Sequence, residues 1–246
     1  MGSEMCIRDR HRAFGFKDPK AHDPFLLFDD FRNDNPEAYY RGFPWHPHRG
    51  IETITYVLNG TVDHSDSLGN TGSLKAGDVQ WMTAGSGIMH QEMPSGNSMG
   101  QMHGFQLWAN LPGSLKMTSP RYQDVGAKEI PEIIDDDGTR VRVITGSFWG
   151  QTGPVDGIAA EPLYLDISLP AGLRKALKVD TYRNTFAYIF EGSGKFADAS
   201  DPQGVLLEKE VLGQELNIRD LSGNRTLVRF GTVSYTHLTL PTTPYV

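Results

Sequence analysis

Cysteine is nearly absent from this chain: Cys6 is the only one in 246 residues. A lone cysteine cannot close an intrachain disulfide, which fits a reducing compartment, and a cytoplasmic protein is expected. No run of about 18 apolar residues occurs, so no membrane-spanning helix and no membrane partner are expected. An apolar signal-peptide core is also missing near the N-terminus. Basic charge is in short supply, with 23 Lys and Arg against 30 Asp and Glu and a net charge of −7. That balance argues against direct nucleic-acid binding through a basic face. Histidine is missing from most of the second half: seven of the eight precede residue 104, and the last is His237. No Gly-x-Ser-x-Gly elbow is present, and no Lys-Ser/Thr follows Gly85-Ser86-Gly87 as a phosphate loop requires. Asp135-Asp136-Asp137-Gly138 lacks the ligand spacing of an EF-hand and reads as a solvated turn.

What is present is a succession of short strands. Ile51 to Leu58 is dense in β-branched and aromatic residues, and Asn59-Gly60 after it reads as a hairpin turn into Thr61–His64. Phe25–Phe28, Val79–Ala84 and Phe105–Asn110 read the same way, at turn spacings of about 8–12 residues, the signature of a sandwich or barrel. Asp34–Gly42 and Pro120–Pro131 read as polar connections. Strands resume at Val141–Ile144, Leu163–Leu169, Thr185–Phe190 and Leu227–Phe230, and Thr185–Gly192 resembles Thr53–Gly60, a weak sign of duplication. The expected fold is all-β, with two consecutive antiparallel barrels: residues 11–130, a connection over 131–158, and 159–232.

The ends read differently. Met5-Cys6-Ile7-Arg8-Asp9 back-translates as ATG TGT ATA AGA GAC, whose reverse complement encodes Val233-Ser234-Tyr235-Thr236-His237. Both resemble a transposase adapter from sequencing libraries. Residues 1–10 and 233–246 are therefore expected to be non-native, and the second barrel incomplete.

Two short signatures carry the chemistry: His46-Pro47-His48 and His90-Gln91-Glu92. In a strand, side chains alternate with period two, so each pair points to one face; in a helix the same spacing would separate them. Three imidazoles and a carboxylate suit iron, copper, nickel or zinc, and on an octahedral ion they leave two positions open. The plainer alternative makes His46 and His48 loop residues beside prolines and Glu92 a turn cap. Glu52, four residues after His48, would share its parity in a continuous strand and is a weaker candidate for the same cavity. His64 and His103 read as ordinary core or surface histidines. Trp81, Met82, Phe105 and Trp108 read as interior packing, with one of them lining a substrate pocket as the alternative.

At these residues the chain resembles the pirin family of the cupin superfamily. The matching text runs through Asp23-Pro24-Phe25-Leu26-Leu27-Phe28-Asp29-Asp30-Phe31, His46-Pro47-His48-Arg49-Gly50-Ile51-Glu52-Thr53, Gly77-Asp78-Val79-Gln80-Trp81-Met82-Thr83-Ala84-Gly85 and Gly87-Ile88-Met89-His90-Gln91-Glu92-Met93-Pro94. The resemblance implies a monomeric bicupin with one metal in its first barrel, held by His46, His48, His90 and Glu92. That metal is usually Fe(II), with zinc, copper, nickel or manganese as alternatives. It also implies quercetin 2,3-dioxygenase activity on a flavonol-like substrate, with Glu92 as catalytic base. The other role it implies is that of a non-catalytic, iron-dependent regulator with a protein partner, a transcriptional co-regulator or a partner of a metabolic enzyme. One departure from the general cupin pattern stands out: Gly85 takes the place of a proline.

Overall fold

A computed structural model describes residues 10–16, 19–178, 180, 182–194, 196, 225–230 and 237–239. The chain divides into two compact units, Met1–Ile133 with Val141–Asp166, and Ile134–Arg140 with Ile167–Val246.

The first unit begins with β1 (His11–Phe14), α1 (Pro19–His22), β2 (Phe25–Asp30), α2 (Pro36–Tyr39), β3 (Phe43–His48), β4 (Ile51–Asn59) and β5 (Thr61–Asp66). It continues through β6 (Thr71–Leu74), β7 (Val79–Thr83), β8 (Ile88–Ser95), β9 (His103–Asn110) and β10 (Arg121–Val125). Two antiparallel sheets result, ordered β1-β2-β9-β4-β7-β10 and β3-β8-β5-β6. They pack face to face, as the ring contacts of Phe31 with Phe43, His48 with Trp108 and His64 with Tyr122 demonstrate.

Strand β4 lies between β9 and β7, and residues 52–57 are buried on both faces. Their β-branched and aromatic side chains suit a strand that meets no water. Val57 packs with Val62, Leu74 and Met102 between the sheets. On the opposite face Tyr56 donates to Asp166 Oδ2 at 2.6 Å and accepts from Arg142 at 2.6 Å.

Asn59-Gly60 does not make a hairpin. Strands β4 and β5 lie in different sheets, and the turn carries the chain from one to the other. Gly60 sits at φ +81°, and a Cβ there would lie 2.4 Å from the Ser95 carbonyl oxygen, so only glycine fits. The polar stretch after Pro120 contains β10, which pairs with β7 from Arg121↔Thr83 to Val125↔Val79. The connection before Gly42 contains α2, capped by Asn35.

Strands β11 (Glu132–Ile134), β12 (Arg140–Thr145) and β15 (Tyr164–Ser168) form one sheet, and β13 (Ser147–Phe148) pairs with β14 (Gln151–Thr152). In the second unit β16 (Ala176–Lys178) pairs with β19 (His237–Thr239), and β17 (Thr185–Ile189) with β18 (Thr226–Phe230). Strand β19 falls inside the stretch 233–246. The acidic turn is a turn as expected, and Lys175 closes it with bonds to Asp135 and, at 2.7 Å, to Asp137. Among the described residues no helix is long and apolar enough to cross a membrane.

Candidate metal centre

The site is built on β3 and β8. Strand β3 is at the edge of its sheet, and an edge tolerates Pro44 and Pro47 because one side has no neighbour to bond. Beyond a register shift, His46 stands opposite His90 and Pro47 opposite Met89. His46 and His48 are buried while Trp45 and Pro47 are exposed. On β8, Ile88, His90, Glu92 and Pro94 are buried and Met89 is exposed. Period-two alternation thus turns all four sequence-derived candidates inward. Before β8, Gly85 takes φ +51°, and a Cβ there would lie 2.1 Å from the Thr118 carbonyl oxygen. A proline fits neither constraint, which accounts for glycine at that point.

Three of the four candidates converge. One ring nitrogen from each of His46, His48 and His90 lies within 4.8 Å of the others. The rings sit 4.4–4.9 Å apart, centroid to centroid. His46 Nδ1 lies 2.9 Å from the Pro44 carbonyl oxygen, which can only accept. The Nδ1 nitrogen therefore carries the hydrogen, and in the neutral ring Nε2 presents a lone pair to the interior. Across the gap His90 Nε2 lies 2.9 Å from His46 Nε2. His48 Nε2 and His90 Nδ1 are buried without a hydrogen-bond partner among the described residues.

Electrostatics favours neutral rings. Burial, then repulsion from His90 and His46, lowers the His48 pKa to about 3. Burial, then repulsion from His46 and His64, lowers that of His90 to about 3 as well. Neutral imidazoles with converging nitrogens are the state in which histidine ligates a divalent ion, so the donor set fits a metal. The hydrogen bond from His46 to Pro44 is the kind of outer contact that fixes a ligating ring.

Glu92 lines the same cavity, with Leu27, Phe43, Gln106 and Trp108 among the other walls. Its carboxyl is outside the three-nitrogen group. Burial holds its pKa above the usual carboxylate range, against the opposing pull of His46 and of the Thr55 hydrogen bond. Thr55 Oγ1 lies 3.0 Å from Glu92 Oε1 and 3.0 Å from Gln106 Oε1. The free space among these side chains is about 10 Å³, room for about one water molecule.

The weaker candidates lie elsewhere. Glu52 does not face the cavity: it is on the opposite face of β4 from Thr55 and accepts from Thr83 Oγ1 at 2.7 Å. Arg49-Gly50, with Gly50 at φ +68°, breaks the strand after His48 and resets the parity on which that expectation relies. His103 bonds to Arg32 and sits 3.5 Å from the buried Asp30. His64 faces a second cavity, lined also by Asp124. Trp81, Met82 and Phe105 are core residues, whereas Trp108 is half-buried beside His48. Thr55 and Gln106 carry no sequence signal for the site; only the pairing Thr55↔Gln106 between β4 and β9 brings them to Glu92.

Comparison with known proteins agrees with this geometry. The family model described as Pirin matches residues 7–109. A pirin-like protein of Caulobacter vibrioides is 41% identical over 223 residues, covering 89% of this chain and 79% of the relative. Human pirin is 42% identical over 182 residues, covering 74% of this chain and 60% of its own length. The crystal structure of a quercetin 2,3-dioxygenase from Acinetobacter baumannii superposes with a TM-score of 0.77 at 29% identity, covering 95% of this chain and 76% of that one. An all-β antiparallel fold, buried histidines on paired strands and these relatives lead to one conclusion: the chain belongs to the pirin family, with a cupin-type fold.

Proposed function

We propose that this protein is an iron-dependent quercetin 2,3-dioxygenase-like enzyme, acting as a cytoplasmic monomer. The observation that carries the reading is the convergence of three buried imidazoles in a fold shared with a quercetin 2,3-dioxygenase. His46, His48 and His90 hold the metal, and Glu92 completes the set. Fe(II) bound there supplies the Lewis acidity and redox chemistry for oxygen-dependent opening of a flavonol heterocycle. Glu92, once released from the metal, would take the proton from the flavonol hydroxyl. Trp108, edge-on to His48, supplies an aromatic wall for a planar substrate.

A second reading, a metal-dependent regulator with a protein partner, is favoured by one observation. Free space of about 10 Å³ is far less than a flavonol occupies, so the enzyme reading requires the Trp108 side of the cavity to open. The test loads the full chain with Fe(II) and follows quercetin loss and oxygen uptake together. Turnover in the wild type and its loss in His46→Ala and His90→Ala supports the enzyme. No oxygen uptake by a chain that binds iron supports the regulator.

A further inference from the structure

Gln106 lines the cavity and Thr55 lies behind Glu92, both buried on neighbouring central strands, and neither belongs to the three-nitrogen group. With Glu92 ionised, as a metal ligand must be, their contact leaves one hydrogen too few. The Thr55 hydroxyl has a single hydrogen, yet two oxygens, Glu92 Oε1 and Gln106 Oε1, each lie 3.0 Å from it. One hydrogen serves only one of them, and two facing lone pairs in a buried site repel. The oxygen and nitrogen of a glutamine amide exchange places by a half-turn that leaves the shape unchanged. With that turn each of the two contacts has its hydrogen: one Gln106 Nε2–H donates to Thr55 Oγ1, and Thr55 Oγ1–H donates to Glu92 Oε1.

We infer that Gln106 and Thr55 form a directed hydrogen-bond relay that fixes one oxygen of Glu92 and so orients its carboxylate toward the three imidazoles. The two are positioning residues, and the inference rests on Glu92 joining His46, His48 and His90 at the metal. Geometry supports the direction of the relay. Thr55 and Gln106 are directly paired across β4 and β9, and both side chains are buried on the face that meets β8. A carboxylate oxygen fixed by a hydroxyl loses rotational freedom, and outer contacts of this kind hold a ligand in its binding orientation. The same relay leaves the Gln106 carbonyl oxygen turned to the cavity that Gln106 lines, an acceptor for a hydroxyl or water held there.

The experiment titrates the full chain with Co(II), reading affinity by equilibrium dialysis and coordination by visible ligand-field absorption. Thr55→Val keeps the shape and removes the hydroxyl; Thr55→Ser keeps the hydroxyl. With the relay in place, Thr55→Val lowers Co(II) affinity by roughly tenfold to a hundredfold with a changed absorption spectrum, and Thr55→Ser restores both. Gln106→Leu, which leaves Thr55 in place, shifts the spectrum in the same direction and carries the test if Thr55→Val folds poorly. Wild-type binding with unchanged affinity and spectrum in Thr55→Val and Gln106→Leu overturns the relay while leaving the metal site standing. A wild type that binds no Co(II) overturns the metal reading, and the relay with it.

Discussion

Two cavities lie side by side among the described residues of the first unit, and the smaller of them is the metal candidate. About 10 Å³ is free beside His46, His48 and Glu92, against about 90 Å³ beside His64 and Asp124. The two are close neighbours, since His64 stands directly opposite Glu92 across β5 and β8. In the larger space one imidazole, buried with neither ring nitrogen hydrogen-bonded among the described residues, faces one carboxylate oxygen at 3.9 Å, with Tyr122 stacked on its ring. In the smaller one three imidazoles bring nitrogens together and a backbone carbonyl sets the tautomer of one of them. Convergence of donors makes a metal site, and volume does not.

Three measurements can overturn or refine that contrast. The largest effect belongs to His48→Ala, expected to weaken metal binding by more than about a hundredfold, beyond the upper end for losing a ligand's outer hydrogen bond. Equilibrium dialysis with metal analysis reads it. Next comes pH. His48 and His90 titrate near 6.5 when unfolded and at about 3 in the folded metal-free chain. Between those values the unfolded state binds more protons, so metal-free stability falls as the pH drops from about 6.5 toward 3. The slope is up to about 1.4 kcal/mol per pH unit for each ring. Glu92, whose pKa burial raises, acts with the opposite sign. Urea melts of Glu92→Gln at pH 7, 6 and 5 therefore check this, and a flat profile there would remove the case for neutral, desolvated rings at His48 and His90. The smallest expected effect is that of His64→Ala on metal binding. It leaves the number of bound metal equivalents unchanged, and an equivalent lost in this variant would make the second cavity part of the site.

Much of the site is legible in the amino-acid sequence. Period two groups His46 with His48 and His90 with Glu92, because strand alternation is local and survives whatever the strands pair with. Density of β-branched residues marks β4, and the turn residues mark most strand ends. The failures are equally physical. Placing Glu52 at the cavity means counting parity through Arg49-Gly50, where a glycine at positive φ ends one strand and starts another. Asn59-Gly60 has hairpin chemistry, but the chain uses its tight turn to change sheets. Strand β10 lacks apolar alternation, and its pairing with β7 is a long-range fact. Thr55 and Gln106 are silent for the same reason: an isolated threonine or glutamine reads as nothing until register places it against a buried carboxylate.

Metal stoichiometry at the three-histidine group is the most direct test of the centre. The measurement is Fe(II) loading of the full chain without oxygen, desalting, and iron determination per chain for the wild type and for His46→Ala, His48→Ala and His90→Ala. One iron per wild-type chain and near none in each variant is the expected result. A wild type that retains no iron, or one whose iron survives all three substitutions, would contradict a metal centre built on these residues.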